Sequence, residues 1–205
     1  MEVKALNNLF GNLDIYLLDQ ILKGRFERQM KILDAGCGEG RNATFFIRSG
    51  FQVFGIDQDA LAIQMLRMHA RSLDPAHDVL RFQVGKVEEL FFHKGAFDAI
   101  ISSAVLHFAR DEAHFDAMWS EMMRVLKPGG FLWLRTCTDA GGILGLAEEL
   151  GNGRFRLPDG SERFVLSEMH LQRLMTRWGL RYLESPKSVL VHRQRSMGVF
   201  LLGKG

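Results

Sequence analysis

A chain of 205 residues has room for one domain built around a central sheet, and 47% apolar residues is the ordinary share for a globular chain. Twenty-six basic side chains against 24 acidic ones leave a formal charge of +2, which excludes an electrostatic case for nucleic acid or an anionic membrane as partner. Cys37 and Cys137 form no CxxC pair, His69 and His77 sit in no recognised ligand spacing, and neither a signal peptide nor a bilayer-spanning run is visible, so a reduced, cytoplasmic protein without a metal site is expected.

In chain order, residues 6–22 carry Phe10, Leu13, Tyr16 and Leu17 at helical spacing and predict helical cover within residues 1–28. Residues 32–33 mark a first strand. It delivers Asp34 and a glycine turn at Gly36, Gly38 and Gly40, and a helix follows over 42–49, stopped by Gly50. A strand, a glycine turn and a helix in succession aim backbone N–H groups and a carboxylate at one spot beside the strand end. Residues 52–56 form a second strand ending at Asp57, and a helix over 60–71 presents Ile63, Leu66 and Ala70. Residues 79–84 read as strand three. Residues 97–102 read as strand four, a short apolar run suited to a sheet covered on both faces. Asp111 caps a helix with Phe115, Met118, Trp119, Met122 and Leu126 on its inner face; Lys127-Pro-Gly-Gly130 ends it, and strand five follows over 131–135. This alternation predicts a doubly wound α/β sheet.

Past strand five the pattern loosens. Residues 141–153 are glycine-rich with a short helical core around 144–150, and 154–165 read as a hairpin turning at Asp159-Gly160. Residues 138–166 are therefore expected as an inserted loop and hairpin near the active-site mouth. Ser167 opens a helix to Trp178, and two strands follow over 181–191 and 197–202. No repeat or linker divides the chain, which predicts a single domain over 1–205. The basic lean of Arg154, Arg156, Arg163, Arg193 and Arg195 reads first as a solvated face and second as an anion-attracting rim.

The glycine spacing separates two cofactors. A dinucleotide fingerprint places its third glycine where Arg41 stands. Asp57, about twenty residues beyond the turn, can accept two hydrogen bonds from ribose hydroxyls in either cofactor. The stretch Asp34 to Gly40 resembles the first motif of class I S-adenosylmethionine-dependent methyltransferases. Gly85-Lys-Val-Glu-Glu-Leu90, Phe97-Asp-Ala-Ile-Ile-Ser-Ser-Ala-Val-Leu-His-Phe108 and Arg124-Val-Leu-Lys-Pro-Gly-Gly-Phe131 are similar to later motifs of that family, in the family's order. The resemblance spans residues 30–136. A shorter likeness, Glu39-Gly-Arg-Asn42 continuing Ala-Thr-Phe-Phe, is to the tellurite-resistance methyltransferases.

The resemblance implies a Rossmann-like, mostly parallel seven-stranded sheet with helices on both faces and an antiparallel last strand. It implies S-adenosyl-L-methionine as cofactor, with Asp34, Gly36, Cys37, Gly38, Asp57, Gln58, Lys86, Val87, Ser102 and Ser103 as the binding set. Lys86 departs from the family pattern, because an ammonium cannot accept a hydrogen bond from the adenine amino group. Backbone groups of Lys86 and Val87, or the Glu88 carboxylate, would read the ring instead. The implied reaction is an in-line displacement onto a small-molecule acceptor, in which the protein supplies alignment and desolvation.

His107, just past strand four, is the candidate for removing a proton from an oxygen or nitrogen acceptor, or else a histidine hydrogen-bonded at a helix start. Cys37 is expected to pack rather than react. Arg135, Thr136 and Asp139 leave strand five on the ligand-bearing edge, Arg135 being either an anion-attracting or a solvent-facing group. A nucleic-acid methyltransferase is disfavoured, since no Asp/Asn-Pro-Pro-aromatic stretch is present to grip a flipped base. A non-catalytic S-adenosylmethionine-binding or partner-binding module and a NAD-dependent oxidoreductase stay open as alternatives, as do the acceptor and the oligomeric state.

Overall fold

Strands apolar on both faces must lie inside a sheet covered twice, and the computed structural model, which describes residues 2–205, has them there. Helices α1 (Val3–Phe10) and α2 (Ile15–Leu22) precede strand β1 (Lys31–Ala35). Then come α3 (Ala43–Arg48), β2 (Gln52–Asp57), α4 (Ala60–Leu73), β3 (Phe82–Val84), β4 (Phe97–Ser103), α5 (Glu112–Val125) and β5 (Leu126–Cys137). Strands β6 (Glu148–Gly151), β7 (Arg154–Arg156) and β8 (Glu162–Phe164) form a separate three-stranded antiparallel sheet. The chain ends through α6 (Glu168–Trp178), β9 (Leu180–Tyr182), β10 (Lys187–Val191) and β11 (Arg195–Lys204).

The main sheet runs β10-β11-β5-β4-β1-β2-β3, with β9 joined to β11 outside that path. From β5 to β3 all pairings are parallel, whereas β11 is antiparallel to β5, β9 and β10. One face of the sheet buries Leu33, Ile100 and Leu132 against Trp119 and Met122 of α5 and Leu174 of α6. The other buries Ile32, Ile101 and Trp133 with Leu17 of α2, Phe46 of α3 and Leu66 of α4. The right-handed crossovers of such a sheet bring the carboxyl ends of β1, β2 and β4 to one edge, where connecting loops open.

Several sequence expectations are corrected by local chemistry. The helical stretch over 6–22 breaks: Gly11 turns with φ 59°, and Asp14 starts α2 anew by accepting from Tyr16 N at 2.9 Å. The first part of strand three is a 3₁₀ turn over Val79–Arg81, because Asp78 accepts from Leu80 N at 3.0 Å. The helical core expected around 144–150 is a 3₁₀ stretch over Ala140–Leu146 followed by β6, since Gly141 and Gly142 take left-handed φ values of 74° and 70°. The hairpin over 154–165 thereby gains a third strand. The strand expected over 181–191 is cut into β9 and β10 around Pro186, which has no N–H for a ladder. No helix among the described residues is long and apolar enough to cross a membrane.

The amino-terminal helices are tied to the sheet by charge. The Asp14 side chain, 0% exposed, pairs with the Arg135 guanidinium of β5, which also lies 5.9 Å from the Tyr16 ring centroid. Arg135 is therefore neither solvent-facing nor free to attract an anion. Arg135→Met is expected to cost ~3–5 kcal/mol in urea unfolding, because Asp14 stays buried without its main partner. Asp14→Asn in the same chain should recover at least half of that loss; equal stability of the single variant and the parent would contradict the clamp.

Candidate functional site

The glycine turn after β1 is built on the end of β2. Gly36 N and Cys37 N both donate to Ile56 O, at 2.8 and 3.0 Å, and Gly38 N donates to Asp57 Oδ2 at 2.8 Å. These three amides are thus engaged with β2, which corrects the expectation that the N–H groups of the turn aim, with the carboxylate, at a spot beside the strand end. Gly36, Gly38 and Gly40 carry φ values of 81°, 51° and 87°. A Cβ at Gly36 would lie 2.4 Å from Val105 Cγ2, so only glycine keeps this approach open. Asp57 Oδ1 accepts from Asp59 N at 3.0 Å. An ionised carboxylate has about four acceptor positions, so each oxygen of Asp57 keeps one for a ligand.

Two adjoining cavities open at this edge. One, about 270 Å³, is lined by Gly36, Asp57, Gln58, Lys86, Val87 and Glu88 on one side and by Ser103, Val105, Phe108, His114 and Met118 on the other. The second, about 530 Å³, shares Gly36, Ser103 and Ala104 with the first and adds Asn12, Cys37, Gly38, Arg41 and His69. Arg41 Nη2 reaches Ser103 Oγ at 3.3 Å and lies 3.5 Å from Asp14 Oδ2, spanning from the turn to β4.

Among the residues expected from sequence, Asp34, Ser102 and His107 line neither cavity. Strand alternation explains the serines: Ser103 faces the cleft, while Ser102 is fully buried with no partner for its hydroxyl. Asp34 lies in the strand just below the turn, 1% exposed, with Oδ2 lacking a hydrogen-bond partner. Burial pushes its carboxyl up to about 7; the Arg41 charge opposes that rise and Asp57 adds to it. Cys37 packs as expected: its thiol is raised by burial, and a Cβ on Gly55 would come within 2.7 Å of its Sγ.

His107 is displaced from the cleft by backbone geometry. Ala104 takes φ 61°, and the 3₁₀ turn Leu106–Phe108 tucks His107 inward, Nδ1 lying 3.5 Å from Cys137 Sγ, while Phe108 turns outward. Burial, reinforced by the charges of Arg163, Arg195 and Arg135, lowers its pKa to about 3. It is thus neutral at working pH and matches the structural alternative rather than the proton-removing role. Two other histidines line the cleft, His69 in the larger cavity and His114, in the first turn of α5, in the smaller. Asp111 Oδ1 accepts from the His114 N–H at 2.7 Å, its Nδ1 accepts from Arg110 N at 3.2 Å, and its Nε2 lies 3.1 Å from Glu88 Oε1. The Asp111 cap was legible in sequence; that it turns His114 towards Glu88 was not.

The family described as "Methyltransferase domain" matches residues 33–134. A mitochondrial ubiquinone biosynthesis O-methyltransferase of Mus musculus is 36% identical over 109 residues, 52% of this chain and 28% of that protein. A malonyl-[acyl-carrier protein] O-methyltransferase of Herminiimonas arsenicoxydans is 30% identical over 156 residues, 72% of this chain and 55% of that protein. The chain thus spans between about a quarter and just over half the length of these two relatives. Among solved structures, a SAM-dependent methyltransferase from Methanosarcina mazei superposes with a TM-score of 0.72 at 25% identity, covering 90% of this chain and 96% of that one.

Two outcomes follow from this geometry. Gly36→Ala should lose about 2 kcal/mol or more through strain and the Val105 collision, and Gly38→Ala, with open space around it, about 1 kcal/mol; urea unfolding compares them. The unfolded chain protonates His107 near 6.5, the native protein only near 3, so the unfolded state gains a proton first on acidification. His107 thus destabilises the fold progressively as pH falls from 6.5 towards 3, and His107→Leu should flatten that limb of the stability curve. An unchanged slope would contradict the assigned burial.

Proposed function

The chain belongs to the class I S-adenosylmethionine-dependent methyltransferase family, and from that premise we propose that it transfers a methyl group from S-adenosyl-L-methionine to an oxygen of a small-molecule acceptor. The observation that carries this reading is Asp57, held by the Gly38 amide and lining the same cavity as residues 85–88 and Ser103. The residues present fit the donor. Asp57 keeps acceptor positions for two ribose hydroxyls, and the glycine cradle at Gly36 would be closed by any Cβ. The orphaned Asp34 Oδ2 lies where a positive group above the strand would be favoured. Glu88 lines the cavity beside Lys86 and Val87, so its carboxylate supplies the acceptor that the Lys86 ammonium lacks.

When bound, the donor supplies a methyl carbon already activated by positive sulfur. The chain's own residues contribute placement and dryness. Asp57 and Gln58 orient the nucleoside, Val105, Phe108 and Met118 form an apolar wall that excludes water, and Ser103 stands at the junction of the two cavities. Oxygen as the accepting atom is supported by the mouse and Herminiimonas relatives, both named O-methyltransferases.

Calorimetric titration tests the reading: S-adenosylmethionine should bind and NAD(H) should not. Asp57→Asn, whose one carbonyl oxygen can serve Gly38 N but not Asp59 N as well, should weaken donor binding by about tenfold or more through the lost charge-assisted bonds and the disturbed turn. Undiminished affinity in that variant, or preference for NAD(H), would overturn it.

A further inference from the structure

The cleft mouth carries a cation with no carboxylate in direct contact. Among the arginines of the carboxyl-terminal region, Arg154 and Arg156 pair with Glu162 and Glu148, and Arg195 pairs with Asp159 at 3.2 Å. Arg163 on β8 has no carboxylate within 4 Å among the described residues, although its charge, with that of Arg195, helps to lower the Asp159 carboxyl; Nη1 donates only to the neighbouring Glu162 O, at 2.7 Å. Its guanidinium carbon stands 4.7 Å from the centroid of the Phe108 ring. Phe108 is 61% exposed and is part of the apolar wall of the 270 Å³ cavity, with Val105 and Met118. Arg163 is thus fixed by a stack and a main-chain carbonyl, beside the cavity, with its remaining donors unspent.

A stacked guanidinium keeps its planar fork available for a carboxylate, which bonds it more strongly than a neutral group does. The charge is felt locally: it contributes to lowering the His107 pKa and opposes the burial-driven rise of Cys137, pushed up to about 11. Arg135 and Arg195 act in the same direction, but each has a carboxylate in contact. Lys86 is a second cation of this cavity, on the facing wall with Glu88.

We propose that Arg163 recognises the methyl acceptor, and that the acceptor is a small organic acid whose carboxylate pairs with Arg163 while its apolar body lies against the exposed Phe108 ring at the cavity mouth. The proposal rests on the methyl-transfer reading for the word acceptor, but its binding chemistry is tested independently of the donor.

The probes are two isosteric pairs, phenylacetate with phenylacetamide and octanoate with octanamide. Each is titrated into the protein with and without S-adenosylhomocysteine and followed by saturation-transfer NMR and calorimetry. Each acid should bind about tenfold or more tighter than its amide. Arg163→Gln should abolish that preference, Arg163→Lys should retain part of it, and Arg193→Gln, on the β10–β11 connection, should leave it intact. S-adenosylhomocysteine affinity and the melting temperature should be unchanged in Arg163→Gln. Equal binding of acid and amide, no binding of either acid, a preference that survives Arg163→Gln, or the same loss in Arg193→Gln would each overturn the proposal. Failure of the methyl-transfer reading would show separately, as absence of S-adenosylhomocysteine binding.

Discussion

The cleft depends on three main-chain N–H groups that the end of β2 captures. With Gly36 and Cys37 donating to Ile56 O, and Gly38 donating to Asp57, the turn after β1 cannot shift unless β2 shifts with it. Each glycine in that turn takes a backbone conformation that other residues pay for in strain, and the bonds to β2 hold it there. Asp57 accordingly has two duties: one face of its carboxylate organises the protein and the other remains for whatever enters. A site whose polar groups are positioned before a ligand arrives spends little free energy on reorganisation.

What could be read from the sequence was whatever local chemistry decides. The glycine turn, the acid ending β2, the apolar runs of β1 and β4 and the Asp111 cap all depend on near neighbours, and all stand where the sequence placed them. Side-chain direction at the end of β4 was not legible, because it turns on one left-handed alanine, Ala104, that no residue type announces. That single dihedral sends His107 into the interior and Phe108 outward. Arg135 was misread for a different reason: its partner, Asp14, is 121 residues away in sequence. The segment over 138–166 resisted reading because its strands are short and its glycines permit more than one path.

Electrostatics in the site work in opposite senses at its two ends. Beneath the turn, Asp34 holds its proton up to about 7 and so favours a positive neighbour once deprotonated. Around the turn Leu106–Phe108, burial, reinforced by three arginines, keeps His107 neutral down to about 3. The Asp34 carboxyl beneath the turn and the Arg163 guanidinium over Phe108 thus set charges of opposite sign at two borders of the cleft.

The position of β11 carries a consequence for how the molecule assembles. It follows every other strand along the chain, yet it lies inside the sheet, and all its central residues are buried. Until it arrives, β5 presents an open ladder of N–H and C=O groups beside Leu132 and Leu134. Pairing of such distant segments is slow to nucleate, since loop closure must precede any gain from contact. A chain in which β11 has not yet paired exposes β5 as a sticky edge, for which a second copy would compete with β11.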